Sequence, residues 1–311
     1  MTTVQTVTGP VQDSQLGATL SHEHVFVNSP ELPHQYPWLY ERETALAHAV
    51  IELEEAKAAG IGSIVDVTTP DLGRDIELMR EAGRRSGVHI IAATGIWLEA
   101  PRWFQRATLD EVVAVFTHEI EVGIAGTDMR AGVIKVANNR PPGVGDLQEK
   151  ILRAAARTAM ATGVPISTHT SPYDIGREQM RVFADEGLPP HLATIGHAQT
   201  GDVDYLREVV ERGHYVSIDH WRPGREGESD VLDAVTKLCE EGHADHVTLG
   251  HDNVPEGYDW WPHGEHEGPS LYTYVPTTVR ALLAERGVTA THFEAMLVTA
   301  PARFLSGGRS E

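Results

Sequence analysis

The sequence predicts an α/β protein with a single (β/α)8 TIM barrel, and three features support this fold. Short apolar runs alternate eight times with segments of helical spacing along the 311 residues. Most of the runs are apolar without interruption, as expected of parallel strands that are covered on both faces. Five of them stop at a histidine, lysine or aspartate, and in such a barrel the carboxyl ends of all strands open onto one mouth. One domain is therefore predicted over residues 1–311, with a polar site at that mouth.

The predicted elements follow one another regularly. Residues 1–16 are expected to form a short capping hairpin. The eight strands are then Gly17–His22, Gly62–Thr68, Val88–Gly95, Gly132–Ala137, Pro165–His169, Ala193–His197, Tyr215–His220 and His246–His251.

Segments with helical spacing separate the strands. Leu46, Val50 and Leu53, for example, recur every three or four residues. A closing helix, Thr291–Leu305, precedes a polar tail at residues 306–311. After the fourth to eighth strands, helices are predicted at Asp146–Thr162, Ile175–Glu186, Val203–Arg212, Asp230–Glu241 and Val275–Glu285.

The composition excludes several classes of partner. The chain has 25 basic and 45 acidic residues, a formal net charge of -20, which repels nucleic-acid phosphates and anionic headgroups. The amino terminus lacks the basic and apolar stretches of a secretion signal, and no apolar run reaches the roughly 18 residues of a membrane span. We therefore expect a soluble, cytoplasmic protein without nucleic-acid or membrane partners. The single cysteine, Cys239, excludes an internal disulfide and a thiolate metal cluster.

Residues that can bind metal lie at the carboxyl ends of five predicted strands. They are His22, His24, Lys135, His169, His197 and Asp252. His22 and His24 are two residues apart on one strand, so they project to the same side while Glu23 points the other way. His251 likewise alternates to the face opposite Asp252. Neutral imidazole and carboxylate suit zinc, cobalt, manganese or iron, and the donors are too many for one tetrahedral ion. The sequence therefore predicts two divalent metal ions.

Lys135 admits two chemical interpretations. An ammonium group would be repelled by two cations, and its burial in the barrel would cost more still. The lysine is either a neutral amine that forms a Schiff base, as in a metal-free lyase or aldolase, or it is carboxylated by carbon dioxide. The resulting carbamate is anionic and bidentate, so it can bridge the two ions. The four histidines in register beside Lys135 favour the carbamate.

Tryptophans are predicted to form the walls of the substrate pocket. The segment after the eighth strand, Asn253–Thr273, has no regular pattern, and loops of about twenty residues in compact domains are usually functional. Apolar and aromatic side chains line most ligand pockets. Alternatively, each tryptophan packs in the core or at an oligomer interface. The predicted wall residues are Trp97, Trp103, Trp221, Trp260 and Trp261.

Specific motifs surround the predicted ligands. They are Leu20–Val25, Ala131–Ala137, Ile166–Thr170, Ile195–His197 and Pro301–Leu305. In combination they resemble the phosphotriesterase family of the amidohydrolase superfamily, which includes the phosphotriesterase-like lactonases, and the resemblance extends over residues 6–305. It implies a homodimer, and a binuclear centre in which carboxylated Lys135 and a hydroxide bridge both ions. In that centre, one ion is bound by His22, His24 and Asp252, and the other by His169 and His197.

Two segments bear on the branch of the family. Thr94–Trp97 and Ile218–His220 are similar to the true phosphotriesterases, in which a tryptophan lines the leaving-group pocket and a histidine follows the aspartate of the seventh strand. Lactonases of the family usually carry tyrosine and arginine at these places. The chain departs from the phosphotriesterases in the short segment Trp221–Ser229. It departs again after His197, where it lacks an acidic residue to complete a relay behind His220.

The residues and the resemblance together predict a metal-dependent hydrolase. A metal-bridging hydroxide would attack the phosphoryl or acyl centre of an uncharged ester. Asp252 would take the proton of the hydroxide, and His220 would pass it outward. The expected substrate is a small-molecule lactone or carboxylic ester, with phosphotriesters such as paraoxon as a further activity. The alternatives are a metal-free Schiff-base lyase centred on Lys135 and a binding protein that has the same fold but no turnover.

Overall fold

Eight parallel strands form the centre of the protein in the computed structural model, which describes residues 2–254 and 270–307. They follow an antiparallel hairpin of β1 (Thr3–Thr6) and β2 (Gly9–Gln12). Each barrel strand pairs in parallel with the next one along the chain. These strands are β3 (Ala18–Glu23), β4 (Ile61–Asp66), β5 (His89–Ile96), β6 (Val133–Asn139), β7 (Ile166–Ser171), β8 (Ala193–Ile195), β9 (Tyr215–Ile218) and β10 (Val247–Leu249).

The sheet closes into a barrel where the segment after β10 meets β3. The amide of Asp252 donates to the carbonyl of His22 at 3.0 Å, and the amide of His24 donates to the carbonyl of Asn253 at 2.9 Å. Both bonds lie beyond the last residue of β10, so the first and last strands are joined at the carboxyl end of the barrel. The predicted (β/α)8 barrel is confirmed.

Helices cover the outside of the strands, and the predicted helix Asp146–Thr162 is confirmed at both ends. None of the helices in the described ranges is long and apolar enough to cross a membrane. In chain order they are α1 (Leu32–Gln35), α2 (Arg42–Ala58), α3 (Ile76–Ser86), α4 (Arg102–Arg106), α5 (Leu109–Glu121), α6 (Asp146–Thr162), α7 (Gly176–Glu186), α8 (Val203–Glu211), α9 (Glu228–Glu240), α10 (Arg280–Glu285), α11 (Ala290–Glu294) and α12 (Ala300–Leu305).

The last two predicted helices each contain a wide turn. The helix predicted from Val275 begins with a π-helical segment, Val275–Val279, before α10. The closing helix likewise has a π-helical segment, Ala295–Thr299, between α11 and α12. Pro276 and Pro301 lie within or just after these segments, and a proline cannot donate the regular backbone hydrogen bond of an α-helix.

Four strands, β4, β8, β9 and β10, end two residues earlier than the sequence predicted, and a glycine follows two of these ends. β8 ends at Ile195, before Gly196 and the predicted ligand His197, and β10 ends at Leu249, before Gly250 and the predicted ligand Asp252. A Cβ atom on Gly196 would lie 2.0 Å from the carbonyl oxygen of Thr168, a distance that no side chain can adopt. Gly196 therefore allows close packing of neighbouring backbones at the point where the chain leaves the sheet.

The two ends of the barrel differ in polarity. At the amino end, Val4 of β1 and Phe304 of α12 pack with Leu16, Val65 and other buried apolar side chains of the barrel interior. The hairpin and the last helix therefore fill this end with apolar side chains. Polar side chains collect at the carboxyl end instead, which is where the candidate site lies.

Candidate metal centre

One cavity at the carboxyl end of the barrel is lined by all six residues predicted as ligands. His22, Lys135 and His169 lie within β3, β6 and β7, whereas the other three predicted ligands follow the ends of β3, β8 and β10. The barrel thus brings together side chains that are far apart in sequence. The cavity has a volume of about 210 Å³, and the described residues that line it are His22, His24, Leu72, Trp97, Lys135, His169, His197 and Asp252.

The donor atoms converge within this cavity. Lys135 Nζ lies 2.9 Å from His22 Nε2, and Asp252 Oδ1 lies 3.6 Å from the same nitrogen. The ring of His197 packs against the rings of His22 and His169, with centroid separations of 4.6 and 4.3 Å. One donor atom from each of His22, His197 and Asp252 falls within a span of 4.8 Å. Clustered imidazole nitrogens and a carboxylate form a donor set that fits divalent transition metals.

Hydrogen bonds outside the cavity fix the orientation of two imidazole rings. His24 Nδ1 lies 2.7 Å from Thr68 Oγ1, which leaves Nε2 toward the cavity. His169 Nε2 lies 2.7 Å from Asn139 Oδ1. Because an amide oxygen only accepts, His169 carries its proton on Nε2 and keeps the lone pair of Nδ1 free for a metal. Such partners set the tautomer and angle of metal-binding histidines.

Asp219, the residue after β9, contacts a histidine from each of the two expected ligand sets. Its carboxylate accepts hydrogen bonds from the amide and from Nδ1 of His197, at 3.0 and 2.9 Å. Its second oxygen lies 3.0 Å from Nδ1 of His22, although the angle of that contact is not that of a hydrogen bond. Complete burial acts to raise the pKa of Asp219, but His197 and His22 outweigh it and hold the pKa well below its usual value. One carboxylate therefore orients His197 and lies against His22.

Burial lowers the pKa values of three imidazoles of the site, which favours their neutral form. Burial, followed by the nearby Lys135, lowers the pKa of His22 to about 3. Burial also lowers the pKa values of His169 and His197. The Lys135 side chain is 1% exposed, and this burial lowers its pKa to about 8. The carboxylates of Asp252, Asp219 and Asp71 oppose that shift. Neutral imidazoles have lone pairs available, so this electrostatic environment suits metal binding.

Asp252 directs its two oxygens to different partners. Oδ1 lies 3.2 Å from His24 Nε2, within the ligand cluster. Oδ2 lies 3.1 Å from His220 Nε2, and the ring of His220 stacks on His197 with a centroid separation of 4.2 Å. The backbone amide of His220 donates to Gln199 Oε1 at 3.1 Å. Of the carboxylates in the described chain, Asp252 alone lies within 4.0 Å of a His220 ring nitrogen.

Two of the predicted ligands adopt a backbone conformation that is rare for residues other than glycine. His197 and Asp252 have φ angles of 52° and 53°, in the left-handed region. Each such residue costs about 1–3 kcal/mol and persists only where its surroundings fix it. The backbone amide of His197 donates to Asp219 and that of Asp252 donates to the carbonyl of His22. These turns direct both side chains into the cavity.

The structure places the predicted wall tryptophans in different environments. Trp97 lines the cavity, and its ring meets that of His169 edge to face at a centroid separation of 5.9 Å. Trp103 is on α4, half exposed, and lines a separate groove beside α5, because Pro101 starts a short helix that carries it away from the mouth. Trp221 is completely buried among apolar residues of the core. The predictions for Trp103 and Trp221 are therefore corrected. Trp260 and Trp261 lie outside the described residues.

Several residues that shape the site were not predicted. Thr68 and Asn139 follow or end strands, where a polar residue after an apolar run was a usable signal. Asp219 precedes His220, and the alternation of side chains along β9 could have directed it into the barrel. Leu72, by contrast, enters the cavity from the segment after β4 and had no sequence signal.

The strands form a closed parallel barrel, and histidine, lysine and aspartate side chains lie at its carboxyl mouth. The protein is therefore of the class of (β/α)8 barrels with a candidate binuclear metal site. The sequence model of the phosphotriesterase family matches residues 2–305, and the chain belongs to this family, whose members are binuclear metal enzymes.

Three relatives are similar to this chain over most of their length. The "Phosphotriesterase homology protein" of Mycobacterium tuberculosis is 34% identical, and the match covers 97% of each chain. The "Aryldialkylphosphatase" of Saccharolobus solfataricus is also 34% identical, over 78% of each chain. The "N-acetyltaurine hydrolase" of Salmo salar is 25% identical over 97% of each chain. The chain is thus a phosphotriesterase-like hydrolase.

Proposed function

We propose that this chain is a binuclear metal-dependent hydrolase of neutral esters, acting on lactones or carboxylic esters and, in addition, on phosphotriesters such as paraoxon. The observation that carries the proposal is the position of Asp252. One of its oxygens faces the cluster of metal-binding side chains, and the other contacts His220. A metal ligand and a proton-transfer group are thus combined in one carboxylate.

The donor set divides into two groups. His22, His24 and Asp252 would hold one divalent ion, and His169 and His197 would hold the other. Zinc is the first expectation, and cobalt, manganese and iron suit the same imidazole and carboxylate donors. When bound, the ions would supply a hydroxide nucleophile at neutral pH and would polarise the ester group under attack.

Lys135, carboxylated on Nζ by carbon dioxide, would provide an anion shared by both ions. Burial lowers the pKa of Lys135 to about 8, which increases the fraction of neutral amine that can react with carbon dioxide. Nζ lies 2.9 Å from His22 Nε2, so the added group would lie among the ligands. A Schiff-base lyase is less consistent with this site, because a carbonyl substrate would have to reach an amine that is 1% exposed and surrounded by imidazoles.

Asp252 and His220 would handle the proton of the nucleophilic water. Asp252 would accept that proton and transfer it from Oδ2 to His220 Nε2, across the contact of 3.1 Å. The side chain of His220 is 22% exposed, so it can exchange a proton with solvent. His220 would therefore release the proton to solvent when a phenolate departs, and would return it through Asp252 to the departing oxygen of a lactone.

The described part of the pocket favours an uncharged substrate. Trp97 and Leu72 form its apolar walls, and Lys135 is the one basic side chain other than histidine among the described lining residues. Carboxylation would remove even that positive charge. The volume of about 210 Å³ is below the roughly 300–1,000 Å³ of sites for drug-sized ligands, so the described cavity suits the reacting ester group with a small apolar substituent.

A rate panel tests the proposal. Metal-free protein is reconstituted with zinc, cobalt or manganese, and initial rates are measured on aliphatic lactones, aryl esters, phosphotriesters and an N-acyl amide. We expect activity to depend on added metal and kcat/KM to be higher for the esters than for the amide. Hydrolysis by the metal-free protein would contradict metal dependence, and a clear preference for the amide would contradict the ester assignment.

A further inference from the structure

Glu23, the last residue of β3, lies between His22 and His24 but faces away from the cavity, as its alternation on the strand predicted. Its carboxylate is completely buried and accepts three hydrogen bonds. Oε1 accepts from the amide and from Nδ1 of His251, both at 2.8 Å. Oε2 accepts from the amide of Asn253 at 3.1 Å. The carboxylate therefore binds the residues on both sides of Asp252.

His251 is held in a single tautomer by its two neighbours. The amide of Val275 donates to His251 Nε2 at 3.1 Å, so this nitrogen is an acceptor and the ring proton is on Nδ1. Nδ1 then donates to Glu23. The ring is completely buried, and both of its nitrogens are satisfied. His251 thus connects β3, the turn after β10 and the start of the helix at Val275.

Asp252, between these anchored residues, is in the left-handed conformation described above, with φ of 53°. That conformation is maintained only where the surrounding structure fixes it. The amides of His251 and Asn253 bond to one carboxylate, the amide of Asp252 bonds to His22, and the carbonyl of Asn253 accepts from His24. Regular β-sheet hydrogen bonds between β10 and β3 are absent from this part of the described chain. The individual bonds named above therefore determine the direction of the Asp252 side chain.

We propose that Glu23 and His251 form a positioning pair that holds Asp252 in its left-handed conformation, with one oxygen toward the metal cluster and the other toward His220. This inference deepens the proposed function, because it rests on Asp252 being a metal ligand. Glu23 and His251 are positioning residues rather than catalytic ones, since neither lines the cavity. The alternative is that the pair only stabilises the junction between β3 and β10.

The first test compares metal binding in Glu23→Gln and Glu23→Ala. The amide of Gln can accept from His251 but presents a donor toward the Asn253 amide, so it breaks one anchor, whereas Ala removes both. Loss of such an outer partner typically costs 10- to 100-fold in metal affinity. We expect the affinity of one of the two ions to fall in the order wild type, Gln, Ala, measured by competition with a chelator, and the visible spectrum of the cobalt-loaded protein to change.

Asp245, which lies just before β10, provides a matched control for the Glu23 variants. Asp245 bonds to His246 at 3.0 Å and to Arg303 at 2.8 Å, at the amino end of β10 and far from the cavity. Asp245→Asn should lower the melting temperature but leave cobalt affinity and spectrum at wild-type values. If the Glu23 variants lose thermal stability as Asp245→Asn does but keep wild-type metal affinity and spectrum, the positioning role is wrong.

A crystal structure of metal-free Glu23→Gln separates this inference from the proposed function. We expect the Asp252 φ angle to leave the left-handed region in the variant, and an unchanged φ would overturn the inference whether or not the wild type binds two ions. If both Glu23 variants fail to fold, His251→Gln is used, because it removes the ring that connects Glu23 to Val275. Failure of the proposed function would instead appear in the wild type, as absent metal or absent ester hydrolysis.

Discussion

Asp252 and His220 are in contact through the carboxylate oxygen that does not face His24, with 3.1 Å between Oδ2 and Nε2. If Asp252 acts as proposed, one substitution can remove its proton transfer and leave a ligand atom in place. The pair therefore offers a way to distinguish the chemistry of the site from its metal binding.

Asp252→Asn should affect the two substrate classes unequally. Opening an aliphatic lactone expels an alkoxide of high pKa, which needs a proton near the transition state, whereas a nitrophenolate leaving from phosphorus does not. We expect the loss in kcat/KM to be about tenfold larger for aliphatic lactones than for nitrophenyl phosphotriesters, a difference of roughly 1.4 kcal/mol. Rates are compared at equal metal occupancy. Equal losses would mean that Asp252 acts only as a ligand.

His220→Ala should give the same ordering of substrates with a smaller difference. The ring contacts Asp252, but no other carboxylate among the described residues supports it, so solvent can replace part of its role. The metal content should stay at the wild-type value, because His220 is not one of the expected ligands. Loss of metal in this variant would argue that His220 belongs to the ligand set.

Asp219→Asn and Asn139→Ala should differ in how many of the two metal ions bind more weakly. Asp219 contacts His197 and His22, one from each expected ligand set, whereas Asn139 contacts only His169. We expect both ions to bind more weakly in Asp219→Asn and one ion in Asn139→Ala, each by about 10- to 100-fold. Chelator titration followed by metal analysis checks this. The same pattern in both variants would refute the division of ligands between the ions.

Trp97→Ala should change selectivity without loss of metal, because Trp97 lines the cavity and donates no ligand atom. Trp103→Ala is the matched control, since Trp103 lies in a separate groove. We expect the ratio of kcat/KM between aryl and aliphatic esters to change several-fold in the first variant and to be unchanged in the second. A uniform loss on every substrate in Trp97→Ala, or a shift of selectivity in Trp103→Ala, would contradict this assignment.

The sequence predicted the barrel and the convergence of six ligand candidates because both depend on local signals. A polar residue that ends an apolar run identifies a strand end, and the topology places all such ends at one mouth. The contacts that orient the ligands were not predictable in this way. Asp219, after β9, meets His22 of the non-adjacent strand β3, and Glu23 meets His251 beyond the end of β10, so both contacts depend on backbone turns and packing. The direction of Trp103 and Trp221 likewise depends on where the chain turns after a strand.

The central claim is a binuclear centre bridged by carboxylated Lys135, and metal analysis of Lys135→Ala beside the wild type tests it most directly. Both proteins are stripped with a chelator and reconstituted with zinc, with and without bicarbonate. We predict two ions per wild-type chain, bound faster with bicarbonate because the carbamate must form first. Lys135→Ala should hold at most one ion and no activity, with partial recovery by short carboxylic acids. Two ions and undiminished hydrolysis in Lys135→Ala would contradict the account.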